Sequence, residues 1–455
     1  MVNGNKKSFG RSLMWAGAAV FCAAVATYGP QAIAGGGFGG GAVGGVRVDP
    51  AGIVSKVEKA ELDTLRKARE EALRAVPSDI AKPSELRKIS LRKMAEAIVE
   101  HQTKKAGAPL TDDFNYLAGL QRIQYIFVYP EQKDIVIAGP AAGWKINAQA
   151  EVVGANTGLP VLRLDDLLVA LQSADKARET MISVSIDPTP EGIQKLRTFL
   201  SKQKTMNAGV KEGVEASLGK QNVTLTGVPP TSRYAHVMLA ADYRMKRYAM
   251  HLDPAPVKGM PSYLELLRNT KANVPDDMSP RWWIEADYQP LLTDGEGLAW
   301  EIRPGVKVMS EDERRDAAGN AQGTGRVNAL AKKWADTMTA KYKELAAEDS
   351  IFAELQNCMD LAVAAALISK ERLADKAGMD MAIYTDNQRL MVDGLPMPKH
   401  VKTEVSMAKS GREWLITASG GVQFHSWSVT GKQETSDATK KAREAAAAGA
   451  NWWWD

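Results

Sequence analysis

An apolar run from Leu13 to Tyr28, preceded by Lys6, Lys7 and Arg11 and closed by Ala32-Ile33-Ala34, divides this chain of 455 residues into a leader and a part that has to fold. A basic start, an apolar stretch and a small-x-small site are what a signal peptidase reads. The sequence therefore predicts Sec-type export to the periplasm or the cell exterior, with cleavage after Ala34 and Gly35 as the new N-terminus. Cys22 lies in the apolar run but follows Phe21, where a lipoprotein signal needs a small residue, so cleavage is expected and lipidation is not. Cleavage leaves Cys358 as the sole thiol. An exported chain that can close no internal disulfide has to hold itself together by packing.

Lys and Arg number 58 against 54 Asp and Glu, and the leader takes away three basic residues and no acid, which leaves the remainder nearly neutral. A nucleic-acid partner is not expected, because such proteins carry a basic footprint. No later stretch reads as the roughly 18 apolar residues of a spanning helix, so no transmembrane segment is expected after cleavage. About 420 remaining residues exceed what one core usually serves. The chain reads as α+β and multi-domain: antiparallel hairpins and meanders with packed helices, preceded by a helical arm.

After the signal peptide (1–34), residues 35–50 form a Gly-rich linker, GGGFGGGAVGG at its start, which can bury no core. A helical arm follows over 51–114, with helices at 54–76 and 86–101 separated by Pro77 and Pro83. Residues 115–221 read as an α+β unit with a hairpin through Pro130-Glu131-Gln132-Lys133, a helix at 164–174, a strand at 181–186 and a helix opening on Thr189-Pro190-Glu191. A second α+β unit, 222–326, holds a strand at 223–228, a helix from Ser232 to about 249 and a Trp-rich meander. There Trp282 and Ile284, with Leu298, Trp300 and Ile302, share the buried side, and 319–325 is a loop. A helical pair occupies 327–375. In 376–434 two strands, 414–419 and 422–427, are expected to turn at Gly420-Gly421. Residues 435–455 read as an Ala-rich helix and a frayed tail, Trp452-Trp453-Trp454-Asp455.

The Gly-rich linker, Leu120-Gln121-Arg122-Ile123-Gln124-Tyr125, Tyr129-Pro130-Glu131-Gln132, Ser185-Ile186-Asp187-Pro188-Thr189-Pro190-Glu191-Gly192, Ala241-Asp242-Tyr243-Arg244-Met245-Lys246-Arg247, Pro280-Arg281-Trp282-Trp283 and Asn357-Cys358-Met359-Asp360-Leu361 together carry a resemblance. The chain resembles the exported planctomycete proteins grouped as domain of unknown function 1598. The resemblance implies export and spans nearly the whole chain after residue 34. It implies no activity, ligand or site residue.

HExxH, GxSxG, Walker A, CxxC and EF-hand patterns are absent, and His101, His236, His251, His400 and His425 have no i,i+3 or i,i+4 spacing. No metal and no cofactor is expected, and catalytic residues stay unknown. Ser90-Leu91-Arg92-Lys93 is an SxxK string without the SDN and KTG partners that give such strings acyl-enzyme chemistry. Cys358, on a stripe with Leu355, Met359 and Ala362, reads as an inert small hydrophobe. Two binding candidates stand out. On the helix after Ser232, His236, Tyr243 and Arg247 form a polar side with Arg244 beside it, and an Arg fork with a Tyr donor suits a carboxylate. Trp283, turned outward between Arg281 and Glu285, offers an indole to a sugar ring or a partner. The expected function is a noncatalytic envelope or extracytoplasmic module that binds a protein or polymer. The alternatives are an enzyme of unrecognised type, such as a hydrolase, with its site near the 232–249 helix, and a structural assembly protein.

Overall fold

The computed structural model describes residues 32–34, 42–203, 208–270, 278–410, 412–416, 419–447 and 453–455. The basic start and apolar run expected to form a signal peptide, the start of the Gly-rich segment and Trp452 lie outside them.

Two mixed sheets carry the α+β architecture. In a ten-stranded sheet the order is Ala321–Gly323, Val306–Arg315, Met278–Ala286, Ser419–Phe424, Ile182–Asp187, Lys220–Thr226, His400–Lys402, Ile53–Lys56, Val46–Val48 and Ala42–Val43. A six-stranded sheet runs Gln433–Thr435, Leu291–Thr293, Ala299–Glu301, Tyr125–Tyr129, Asp134–Ala141 and Ser84–Ser90. The helices Arg233–Ala249 and Ser350–Lys370 pack against each other, and Arg233–Ala249 also lies across Ile182–Asp187 and Ser419–Phe424.

Local chemistry accounts for the elements that agree with the sequence. Ser232 caps Arg233–Ala249 by accepting from the Ala235 amide at 3.2 Å, and Thr189 caps Pro190–Leu200 through the Gly192 amide at 3.0 Å. The turn between Tyr125–Tyr129 and Asp134–Ala141 closes on Lys133, at φ 51°. Trp282 and Ile284 are both fully buried, and the Trp282 ring meets Tyr263 at 5.1 Å and Trp334 at 5.0 Å.

Several expectations are corrected. The expected linker does reach the core, since Ala42–Val43 and Val46–Val48 are strands whose Val43, Val46 and Val48 are buried in it, and Ile53–Lys56 is a strand, so the first helix runs over Lys59–Ala72. Ser84–Ser90 is a strand of the six-stranded sheet, and the second helix starts only at Leu91, where the Ser90 hydroxyl accepts from the Lys93 amide at 3.0 Å. Gly420-Gly421 is not a turn: Ser419–Phe424 runs straight through it, between Met278–Ala286 and Ile182–Asp187. A Cβ on Gly420 would lie 1.6 Å from the Trp282 carbonyl oxygen and one on Gly421 1.8 Å from that of Val184, so close strand approach explains the pair. Ala321–Gly323, within the expected loop, is an edge strand on Val306–Arg315. Trp300 and Ile302 share the main core with Trp282 and Ile284, but Ala299–Glu301 and Met278–Ala286 belong to different sheets. The chain end is packed: Trp453 stacks on Phe114 at 4.9 Å, and its carbonyl accepts from the Ser90 amide at 2.8 Å. Ser350–Lys370 is also long and apolar enough to span a membrane by length and composition, yet it is a buried core helix.

Trp283, one residue from Trp282, is half-buried on the opposite side of Met278–Ala286. Replacing Trp282 by Ala should cost about 3 to 5 kcal/mol in urea unfolding, and Trp283→Ala should cost less than about half of that because less apolar surface is lost. A larger loss at Trp283 would invert the assignment of faces.

Candidate functional site

The polar side of Arg233–Ala249 faces protein. Tyr243 and Arg247 are buried against Glu404, and the Arg247 guanidinium meets that carboxylate directly. The Tyr243 hydroxyl donates to Glu404 Oε2 at 3.3 Å and accepts from Arg247 Nη1 at 3.2 Å. A carboxylate does occupy the fork that the sequence suggested, and it is the chain's own. Arg247 Nε also donates to Asp253 Oδ2 at 2.7 Å, and Lys56 reaches Asp253 Oδ1 at 2.8 Å. Burial alone would raise the Asp253 carboxyl, but the hydrogen bonds from Arg247 and Lys56 outweigh it and hold it at about 2. Burial and the Glu404 charge push Tyr243 up to about 12. Arg244 turns to Asp349, Nε to Oδ2 at 3.0 Å, and Tyr248 donates to the same oxygen at 2.6 Å.

His236 does not join this group. Its Nε2 lies 3.0 Å from the Pro396 carbonyl oxygen, and burial lowers the imidazole to about 4, so it is neutral at pH 7. The space beside Tyr243, Lys246, Arg247 and Glu404 measures about 30 Å³, room for about one water. An external anion would have to displace Glu404.

Other acids are sealed further in, and single-sequence periodicity gave no sign of them. Arg233 sits between Asp166 and Glu354, with Nη1 to Asp166 Oδ2 at 2.5 Å, and burial raises both carboxyls above the ordinary range. Lys246 donates to Asp242 at 2.8 Å and to the carbonyls of Ile186 and Gly420 at 3.0 and 3.1 Å. Asp360, fully buried, accepts from the Tyr288 hydroxyl. Cys358 is 1% exposed, and burial pushes its thiol well up, which removes the thiolate a nucleophile needs. Ser90 of the SxxK string is spent on capping and on donating to Asp134 Oδ2 at 2.5 Å. Among the described residues no group of three or more His, Cys, Asp or Glu is placed to hold a metal ion.

Trp283 lies on the sheet face opposite Trp282, but it is half-buried and its indole Nε1 is shielded. The Arg281 guanidinium lies over its ring at 5.5 Å, and Met309 and Gly421 flank it in register on the neighbouring strands.

A more spacious concavity lies elsewhere. A groove of about 770 Å³ runs between the outer face of the helix Leu91–Lys104 and residues 378–389. Ala95, Val99, Met379 and Ile383 give it an apolar surface, and Val99 is 48% exposed. Along the helix, Arg92 to Gln102 gives it a length of about 15 Å at about 1.5 Å per residue. Gln102 bridges the walls at one end, donating to the Arg389 carbonyl at 3.0 Å, and Lys133 stands at the side of Gly378. The rim charges Glu96 and Glu100 pair within the helix, with Arg92 and Lys104. One signal in the sequence pointed here: Ala95 and Val99, spaced i,i+4, extend the apolar surface sideways from Leu91, Met94 and Ile98, which enter the core.

Residues 184–263 match the family model of DUF1598, a protein of unknown function. The match covers the strand Ile182–Asp187 from Val184 onward and all of Arg233–Ala249. It is shorter than the nearly chain-long likeness read from the sequence, and the strings at 120–132, 280–283 and 357–361 fall outside it. No curated protein and no solved structure matches the chain.

Burial pushes the Asp360 carboxyl up to about 7 from 3.8. Since the folded state binds this proton more tightly than the unfolded one, its contribution is complete below pH 3.8 and is lost as pH rises through about 7. Asp360→Asn should therefore gain stability relative to the parent by about 1 kcal/mol or more between pH 5 and 8, read from urea midpoints. Parallel pH profiles would show that Asp360 is ionised in the fold.

Proposed function

We propose that this protein is an exported, noncatalytic binding module and that the groove along Leu91–Lys104 receives an apolar segment of an envelope partner. The observation that carries the reading is the groove itself: about 770 Å³ falls in the size range of ligand sites, roughly 300 to 1,000 Å³. Its surface is apolar and open. The carboxyls of Asp166, Asp242, Glu354 and Asp360, raised by burial, are by contrast enclosed in ion pairs or hydrogen bonds inside the core. Export rests on the basic start, apolar run and small-x-small site of residues 1–34.

The protein beginning at Gly35 should enhance the fluorescence of the apolar dye ANS. Val99→Asp should cut that enhancement by about half or more while changing stability by less than about 0.5 kcal/mol, as expected for an exposed position. Unchanged dye binding in a folded Val99→Asp variant would remove the groove from the reading. Mass spectrometry of the protein from its native source should find Gly35 at the N-terminus, and an intact Met1 would remove export.

A further inference from the structure

The leader enters the fold beside the groove. Ala32–Ala34 pairs in parallel with Leu390–Val392, Ala32 opposite Leu390. Arg389 and Gln388 directly precede Leu390, the parallel partner of Ala32. Those two residues line the groove. The apolar run ends at Tyr28, and the three residues between it and Ala32 span at most about 14 Å. The groove is about 15 Å long, and an apolar groove open to water is costly to leave uncovered. The described chain thus begins at Ala32 beside residues that line the groove, a short reach in sequence from the apolar run Leu13–Tyr28.

We propose that the groove formed by Leu91–Lys104 and residues 378–389 is the seat of the chain's own Leu13–Tyr28 segment before processing, and that removal of residues 1–34 frees it for the partner. The inference rests on the groove being the binding surface and on export. It adds that the unprocessed chain blocks its own site, with Ala32–Ala34 as the clasp.

Two features of the sequence make this testable on the full chain. Cys22 lies within the segment, and the only other thiol, Cys358, is buried. In the full-length protein carrying Val99→Cys, mild oxidation with copper phenanthroline should form a Cys22 to position 99 disulfide, seen as a cross-linked peptide and a loss of two hydrogens. Held in the groove, the two thiols have a raised effective concentration, so the reaction should run about tenfold or more faster than with Thr224→Cys on the ten-stranded sheet. Cys22→Ser should abolish it. Should Val99→Cys fold poorly, Glu96→Cys, on the exposed rim of the same helix, should show the same preference. Cross-linking no faster at positions 99 and 96 than at 224 would overturn the inference. Dye binding by the form beginning at Gly35 is read separately, so the groove reading can survive that failure, and it can fall while the cross-link forms.

Discussion

Arg233 is the point at which three helices are fastened together. It opens Arg233–Ala249, and its two terminal nitrogens reach Asp166 of Leu164–Ser173 and Glu354 of Ser350–Lys370. Removing either carboxylate would leave a charge buried without its full counterpart, which costs about 3 to 5 kcal/mol in comparable pairs. A hydrophobic contact can slide, but a fork held by two carboxylates fixes both register and angle. The same device recurs at the start of the fold. Arg69 donates to the carbonyls of Ala42 and Ala150 at 2.9 and 2.6 Å, while Glu151 accepts from the Gly44 amide at 3.0 Å. With Cys358 as the only cysteine of the described residues, buried charge does the long-range tying that disulfides do in many exported proteins.

This use of charge decides how the acids are to be understood. Raised pKa values often mark catalytic groups, because burial and neighbouring charges tune them. Here the carboxyls of Asp166, Asp242, Glu354 and Asp360 are all raised first by desolvation, and each has a hydrogen-bond partner inside the core. A general acid or base has to reach its substrate within hydrogen-bond distance or through one water. These groups reach one another. The groove has the opposite character: apolar walls, and rim charges paired along the helix surface at little energetic gain.

What the sequence made legible was local. Ser232, Thr189 and the apolar spacing of Ser350–Lys370 mark helices within a few residues, and the parity of Trp282 and Ile284 marks a buried strand face. The polar side of Arg233–Ala249 was legible as polar, but periodicity does not say whether such a side meets water or another polar surface. Its answer, Glu404, lies 157 residues beyond Arg247. Gly420-Gly421 failed for a related reason. Two glycines suit a tight turn and equally suit a strand pressed between two others, and only the carbonyls of Trp282 and Val184 distinguish the cases. The groove was the least legible of all, because its walls come from residues 92–102 and 378–389 and neither wall is apolar enough alone to attract notice.

The order of strands adds a constraint on when the fold can form. Ser419–Phe424 lies between Met278–Ala286 and Ile182–Asp187, and His400–Lys402 lies between Lys220–Thr226 and Ile53–Lys56. The two strands that join the locally paired segments of the ten-stranded sheet therefore come late in the sequence, at 400–402 and 419–424. Such non-local pairing folds slowly, since loop closure has to precede the contacts that reward it. A chain of this topology cannot complete the ten-stranded sheet until residues 400–424 are available. A fold not yet completed is what a Sec-type translocation route requires, so the topology and the proposed leader favour the same sequence of events: passage first, completion of the sheet second. Ala32–Ala34 pairs with Leu390–Val392, a strand that is itself among the late ones. The proposed clasp on the groove therefore needs a chain that still carries residues 32–34 when Leu390–Val392 is in place.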